Sequence, residues 1–108
     1  MEVFYVKYEK HQGTPRAGIV TIKLRIPQCR SLKEKRSRLG RLTRKLRDEL
    51  NVSVAEVGEQ DRPSSSVICC AAVSSDWVQV QRCLNQVHVI CEQHRGITIT
   101  DSQEERLM

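Results

Sequence analysis

Aromatic side chains are scarce in this sequence of 108 residues: it has four, and three of them lie within the first eight positions. RNA-recognition motifs stack bases on aromatic residues of an open sheet face. The outward positions expected on the first and last strands instead hold polar side chains, namely Thr21, Lys23, Arg25, Thr98 and Thr100. The sequence therefore argues against base stacking on a sheet face. Such a face fits a sheet-to-sheet dimer, or plain solvent, better.

Paired cysteine motifs are also absent, although the chain has five cysteines: Cys29, Cys69, Cys70, Cys83 and Cys91. No two of them form a C-x-x-C pair, and the three histidines do not complete the four ligands of a zinc site. Cys91 falls on the apolar stripe of a predicted helix, which indicates a small core residue. We predict no metal and no intramolecular disulfide, as is typical of a reducing compartment.

Three further absences bear on function. The sequence has no apolar run near the ~20 residues of a membrane span and no signal-peptide pattern, which predicts a cytoplasmic protein without membrane contact. Its five glycines are scattered, so no phosphate-binding glycine loop is present. No histidine has a nucleophile at a spacing that indicates catalysis. We therefore expect no enzyme activity, no catalytic residues, no cofactor and no small-molecule substrate.

What the sequence does contain is a regular succession of apolar patterns. Residues 1–16 are interpreted as an N-terminal appendage, either a short extra strand or a poorly ordered arm, and residues 17–108 as a single domain. Alternation at Val20, Ile22, Leu24 and Ile26 predicts a half-buried strand. Ser31 and Glu34 have the spacing of a capping box and predict a helix that ends near Asn51. Its apolar stripe consists of Leu32, Leu39, Leu42, Leu46 and Leu50.

The second half of the chain continues this succession. Residues 52–57 predict a second strand, in which the apolar phase slips between Val54 and Ala55. A bulge, or a strand partly covered on both faces, would explain the slip. A loop over 58–66 precedes a central strand at 67–73. A second helix begins near Ser75 or Asp76, with its stripe at Val80, Leu84, Val87 and Cys91. Ile97 and Ile99 predict a last strand, and residues 101–108 a polar tail.

The order β-α-β-β-α-β predicts an α+β protein with a ferredoxin-like fold, in which two helices pack on one face of a four-stranded antiparallel sheet. We expect Leu39, Leu42 and Leu46 to be buried against the first strand. Because the open sheet face is only half polar and its edges need covering, we also predict a homodimer or tetramer.

The charge of the protein is concentrated in one helix. Residues 30–50 hold nine Lys or Arg and three acidic residues, a local balance of +6 in a chain of net charge +5. Cations along one helix face can bind the phosphates of a nucleic acid without reading its bases. The candidate nucleic-acid-binding residues are Arg30, Lys33, Lys35, Arg36, Arg41, Arg44 and Lys45. The alternatives are a helix that meets an acidic protein partner and a solvated face that aids solubility.

Three segments resemble a known family: SLKEKR at 31–36, NVSVAEVGEQD at 51–61 and AVSSD at 72–76. In this order and spacing they are similar to the YlxP-like family of small bacterial proteins, over roughly residues 18–105. The resemblance implies a ferredoxin-like fold. Genes of that family often lie among those for translation initiation and ribosome maturation, so the resemblance also points to RNA-related work. Together with the basic helix, this makes RNA or the ribosome the expected partner. The chain departs from the family pattern in its appendage and in residues 62–66, where the family usually carries a tryptophan.

Overall fold

The computed structural model describes residues 13–108. It contains β1 (Arg16–Arg25), α1 (Leu32–Glu49), β2 (Ser53–Gly58), β3 (Ser65–Ser74), α2 (Trp77–Gln93) and β4 (Thr98–Arg106). Most of the predicted appendage, residues 1–12, lies outside the described residues. Within residues 13–108, no helix is long and apolar enough to cross a membrane.

The four strands form one antiparallel sheet in the order β2-β3-β1-β4. The inward side chains of β1 and both helix stripes belong to one hydrophobic cluster, so both helices cover the same sheet face. Leu39, Leu42 and Leu46 are buried, as predicted, and they share this cluster with Ile22 and Leu24 of β1. The predicted ferredoxin-like α+β fold is confirmed, with β1 and β3 at the centre of the sheet.

Helix α1 begins as its sequence predicts. Ser31 is the N-cap, and its hydroxyl accepts a hydrogen bond of 3.1 Å from the backbone N–H of Glu34. The Glu34 carboxylate accepts from the backbone N–H of Arg30, one residue before the N-cap. In α2 the cap is Asp76, whose carboxylate accepts from the N–H of Val78 at 2.9 Å. Side-chain capping thus satisfies first-turn donors that otherwise have no helical partner.

The polar tail predicted for residues 101–108 is wrong, because most of it belongs to β4. The strand pairs with β1 from Arg25↔Thr98 to Gly18↔Arg106, with an irregularity between Lys23 and Leu24. All residues from Asp101 onward are exposed, so none of them belongs to the hydrophobic core. Backbone hydrogen bonds to β1 form this strand, and backbone pairing leaves no apolar pattern in a sequence.

Neither explanation of the phase slip in β2 is correct, because there is no bulge between Val54 and Ala55, and Ala55 is exposed, so the strand is not covered on both faces there. Strand β2 pairs regularly with β3 from Ser53 to Glu56, and the register shifts between Glu56 and Gly58. Val57 is the extra residue and is 55% exposed. A side chain at Gly58 would meet Val67 at 3.1 Å, so the close approach of the two strands favours glycine. Strand β3 is longer than predicted, because Ser65 and Ser66 also pair with β1.

All five cysteines are free thiols. Burial raises the pKa of the Cys70 thiol to about 12 and that of Cys91 to about 11. Both side chains belong to the hydrophobic cluster between the sheet and the helices. Since the thiolate is the reactive form of cysteine, these two residues are packing residues.

Candidate nucleic-acid interface

The exposed surface of α1 is mainly cationic, with Glu34 in the first turn and Asp48 and Glu49 in the last turn as its acidic residues. Six of the seven predicted binding residues are exposed: Arg30, Lys33, Arg36, Arg41, Arg44 and Lys45. We call these six residues the α1 patch. At a rise of 1.5 Å per residue, the helix carries its charges from Lys33 to Lys45 over about 18 Å.

No residue of the α1 patch takes part in an ion pair within the part of the chain that the structure describes. Arg41 lies one helical turn from both Arg44 and Lys45, a spacing at which like charges repel by about 0.2–0.5 kcal/mol. A bound anion would relieve this repulsion.

Lys35, the seventh predicted residue, is not part of this surface: only 1% of the residue is exposed. Its Nζ lies 2.9 Å from Oε2 of Glu56 and donates a hydrogen bond of 2.8 Å to the carbonyl oxygen of Glu59. Ser66 donates to the same Oε2 of Glu56 at 2.6 Å. Lys35 therefore ties α1 to β2 and the turn after it, and it is unavailable to an external phosphate.

The sequence did contain a signal for the burial of Lys35. At 100° per residue, Lys35 lies between Leu42 and Leu46 on the wheel of α1, inside the leucine stripe. A lysine in that position either breaks the stripe or finds an acidic partner. The partner, Glu56, is 21 positions away on β2, and a helical wheel does not report such contacts.

Two more α1 cations, Arg38 and Arg47, bind backbone carbonyl groups, although a spacing of 100° per residue places both off the leucine stripe. Arg38 donates to the carbonyl oxygens of Pro27, at 2.8 Å, and of Gly96. Arg47 donates to the carbonyl oxygen of Val54 at 2.9 Å. Both side chains fasten α1 to neighbouring segments, which separates them from the α1 patch.

His94 follows α2 and lies in the field of the α1 patch. Burial, followed by the charges of Lys45 and Arg41, lowers the pKa of its imidazole below the ordinary value. Like charge and burial both disfavour the protonated ring. The unfolded state therefore protonates His94 more readily than the folded state does. As the pH falls below the ordinary histidine pKa, the free energy of unfolding decreases.

If the positive charges of Lys45 and Arg41 lower the pKa of His94, removing either charge should change that pKa, and NMR can measure the change. We expect Lys45→Gln and Arg41→Gln each to raise the pKa of His94. The measurement is the chemical shift of its ring protons as a function of pH. The matched control is Arg62→Gln, because Arg62 is an exposed cation of the β2–β3 turn, paired with Glu59 at 3.7 Å. A pKa of His94 that is the same in all three variants would contradict the prediction.

The fold and the α1 patch together define a ferredoxin-like α+β domain with one cationic helix. The family model described as Protein of unknown function (DUF503) matches residues 17–104, and the chain belongs to this family. The chain is also 36% identical over 75 residues to the Uncharacterized protein YlxP of Bacillus subtilis (strain 168), an alignment that covers 69% of this chain and 82% of that protein. The resemblance inferred from the three sequence segments is thereby confirmed.

Proposed function

We propose that this protein binds RNA, alone or within a ribonucleoprotein such as the ribosome, through the α1 patch. The observation that carries the proposal is the row of six exposed cations without ion pairs in residues 13–108. Each contact between such a cation and a phosphate releases condensed counterions, which favours binding at low salt. The proposed role is binding and not catalysis.

The expected mode of binding is insensitive to base sequence. Within residues 13–108 the one aromatic residue is Trp77, which lies on α2. The strands in this range therefore have no aromatic side chain on which a base could stack. Phosphate contacts position a nucleic acid but carry no sequence information. We place this binding in the cytoplasm, in agreement with five free thiols.

Binding of unrelated RNA sequences at several salt concentrations tests the proposal. If all six residues contact phosphates, the logarithm of the association constant should fall with the logarithm of salt with a slope of roughly −4 to −5. An acidic polypeptide serves as competitor. A slope near zero would contradict RNA binding, and tighter binding of the acidic polypeptide would favour the protein-interaction alternative.

A second proposal concerns the sheet face that the helices leave uncovered, which we call the open sheet face. Its apolar residues are half-buried Ile19, Val67, Cys69 and Ala71, with Val73 65% exposed. Cations on β1 and acidic residues on β4 flank them: Lys23, Arg25, Asp101 and Glu105. A second copy related by a twofold axis could pair these opposite charges across an apolar centre. We therefore propose a homodimer, or a tetramer built from it, through this face.

Light scattering tests this association. We expect the wild type to be dimeric or tetrameric at high micromolar concentration, and Val73→Asp to be monomeric because it buries a carboxylate in the interface. Val89→Asp is the matched control, since Val89 is an exposed valine on α2. A monomeric wild type, or equal masses for both variants, would overturn the proposal.

A further inference from the structure

A groove of about 450 Å³ lies between the first half of α2 and the end of β4. Its lining residues are Trp77, Val78, Gln81, Arg82, Asn85 and Arg106. Strands β2 and β4 are opposite edges of the sheet, and α1 packs near β2. The groove is therefore separate from the α1 patch, and the proposed contacts of that patch leave it unoccupied.

The wall of the groove is a stack of flat side chains. Trp77 packs partly against the core, and the guanidinium carbon of Arg106 lies 4.5 Å from the centre of its ring. Arg16 is a second guanidinium near the same ring, at 5.9 Å. Cation–π contact holds Arg106 over the indole. Unpaired nucleobases stack on arginine planes as well as on aromatic rings, so this wall can extend its stack by one base.

Two amides lie beside this wall in a fixed arrangement. Gln81 Nε2 donates at 2.9 Å to Oδ1 of Asn85 and at 2.9 Å to Oε2 of Glu104. Within residues 13–108, the Gln81 carbonyl oxygen and the Asn85 amide nitrogen take part in neither of these hydrogen bonds and can accept and donate one, respectively. One acceptor beside one donor complements the edge of a nucleobase.

Charge in the groove favours an anion over a cation. Arg82 and Arg106 line the groove and Arg16 lies near its Trp77 wall, and they are opposed there by Glu104, which contacts Gln81. The Glu104 carboxylate already accepts a hydrogen bond from Gln81, and Glu105 lies on the open sheet face beside Gln103. Arg82 is exposed, and within residues 13–108 it makes no ion pair. Its guanidinium can donate to a phosphate.

We propose that this groove binds an unpaired nucleotide. The base stacks on the Arg106–Trp77 pair, Gln81 and Asn85 contact its edge, and Arg82 contacts the phosphate. The nucleotide is either free or part of single-stranded RNA, and in the second case the inference rests on the proposed RNA function. The groove would then hold one unpaired base of an RNA strand.

Trp77 is the single tryptophan of the chain, so intrinsic fluorescence reports directly on this groove. The probes are adenosine and uridine 5′-monophosphate and a short single-stranded oligoribonucleotide. We expect saturable quenching by at least one of them. Arg106→Gln and Asn85→Ala should weaken binding roughly tenfold, as expected for the loss of a stacking or edge contact. Because Arg106→Gln alters the indole's own surroundings, binding to this variant is also measured by anisotropy of a labelled probe.

The controls separate this inference from the proposed function. Arg95→Gln removes an exposed cation beyond the groove and should leave quenching unchanged. A variant with glutamine at Arg41, Arg44 and Lys45 should still show quenching by whichever probe binds, even where its RNA affinity is reduced. Quenching by the oligoribonucleotide but not by the monophosphates assigns the groove to RNA strands. No quenching by any nucleotide, equal quenching by polyglutamate, or no effect of Arg106→Gln would overturn the proposal.

Discussion

Replacing Arg41, Arg44 and Lys45 together with glutamine should weaken RNA binding to a similar degree for every RNA sequence. All three side chains are exposed and lie off the leucine stripe, so they are available to phosphates. Losing three phosphate contacts should reduce the magnitude of the salt slope by roughly 2 units, at about 0.7–0.9 for each contact. The measurement is a filter-binding titration of wild type and variant at several salt concentrations.

A matched control distinguishes the α1 patch from net charge alone. Glutamine at Lys23, Arg25 and Arg62 removes the same three charges from outside the helix, at side chains that are also exposed. Because Lys23 and Arg25 flank the open sheet face, the two triple variants are compared under conditions in which light scattering gives both the same oligomeric state. We expect this variant to retain most of the salt slope. Equal loss in both triple variants would indicate a general effect of net charge, and coincident curves for wild type and α1 variant would remove the patch from the binding surface.

The fold should survive the α1 substitutions, because glutamine has a good helix propensity and these positions do not touch the core. Leu42→Ala is the opposite case, since Leu42 is fully buried. It should cost about 2–5 kcal/mol of unfolding free energy through the cavity it leaves. Urea denaturation of both variants separates loss of binding from loss of folding.

Lys35→Ala should destabilise the protein by roughly 3 kcal/mol, the low end of the range for breaking a buried ion pair. The variant leaves the Glu56 carboxylate without its cation and the Glu59 carbonyl oxygen without the Lys35 donor. The Glu56 side chain is 27% exposed, and water can partly solvate it, which is why the low end applies. The measurement is urea denaturation followed by circular dichroism.

Lys33→Ala is the matched control, because Lys33 lies in the same turn of α1 but is exposed. This substitution should change the free energy of unfolding by less than about 0.5 kcal/mol. Lys35→Met combined with Glu56→Gln removes both charges and should recover much of the loss, since the cost arises from an unpaired buried charge. The opposite pattern, with Lys35→Ala as stable as Lys33→Ala, would show that the ion pair contributes nothing.

The features behind these predictions differ in how much of each could be predicted from the sequence. The α1 patch follows from local periodicity, because the spacing of five leucines defines which side chains of a helix face outward. The core positions of β1 and α2 follow from the same argument. The ferredoxin-like arrangement follows from the order of the elements, since few compact packings accept β-α-β-β-α-β.

The remaining features depend on pairs of residues that are distant in the chain. Lys35 is buried because Glu56 lies opposite it, and β4 continues to Arg106 because β1 offers unpaired backbone groups there. The groove between α2 and the end of β4 forms because Arg106 lies against Trp77 at the start of α2. Sequence patterns report which face of an element is apolar, since burial of that face is a local property. Tertiary structure decides which distant polar groups meet, because those contacts depend on the position of whole elements.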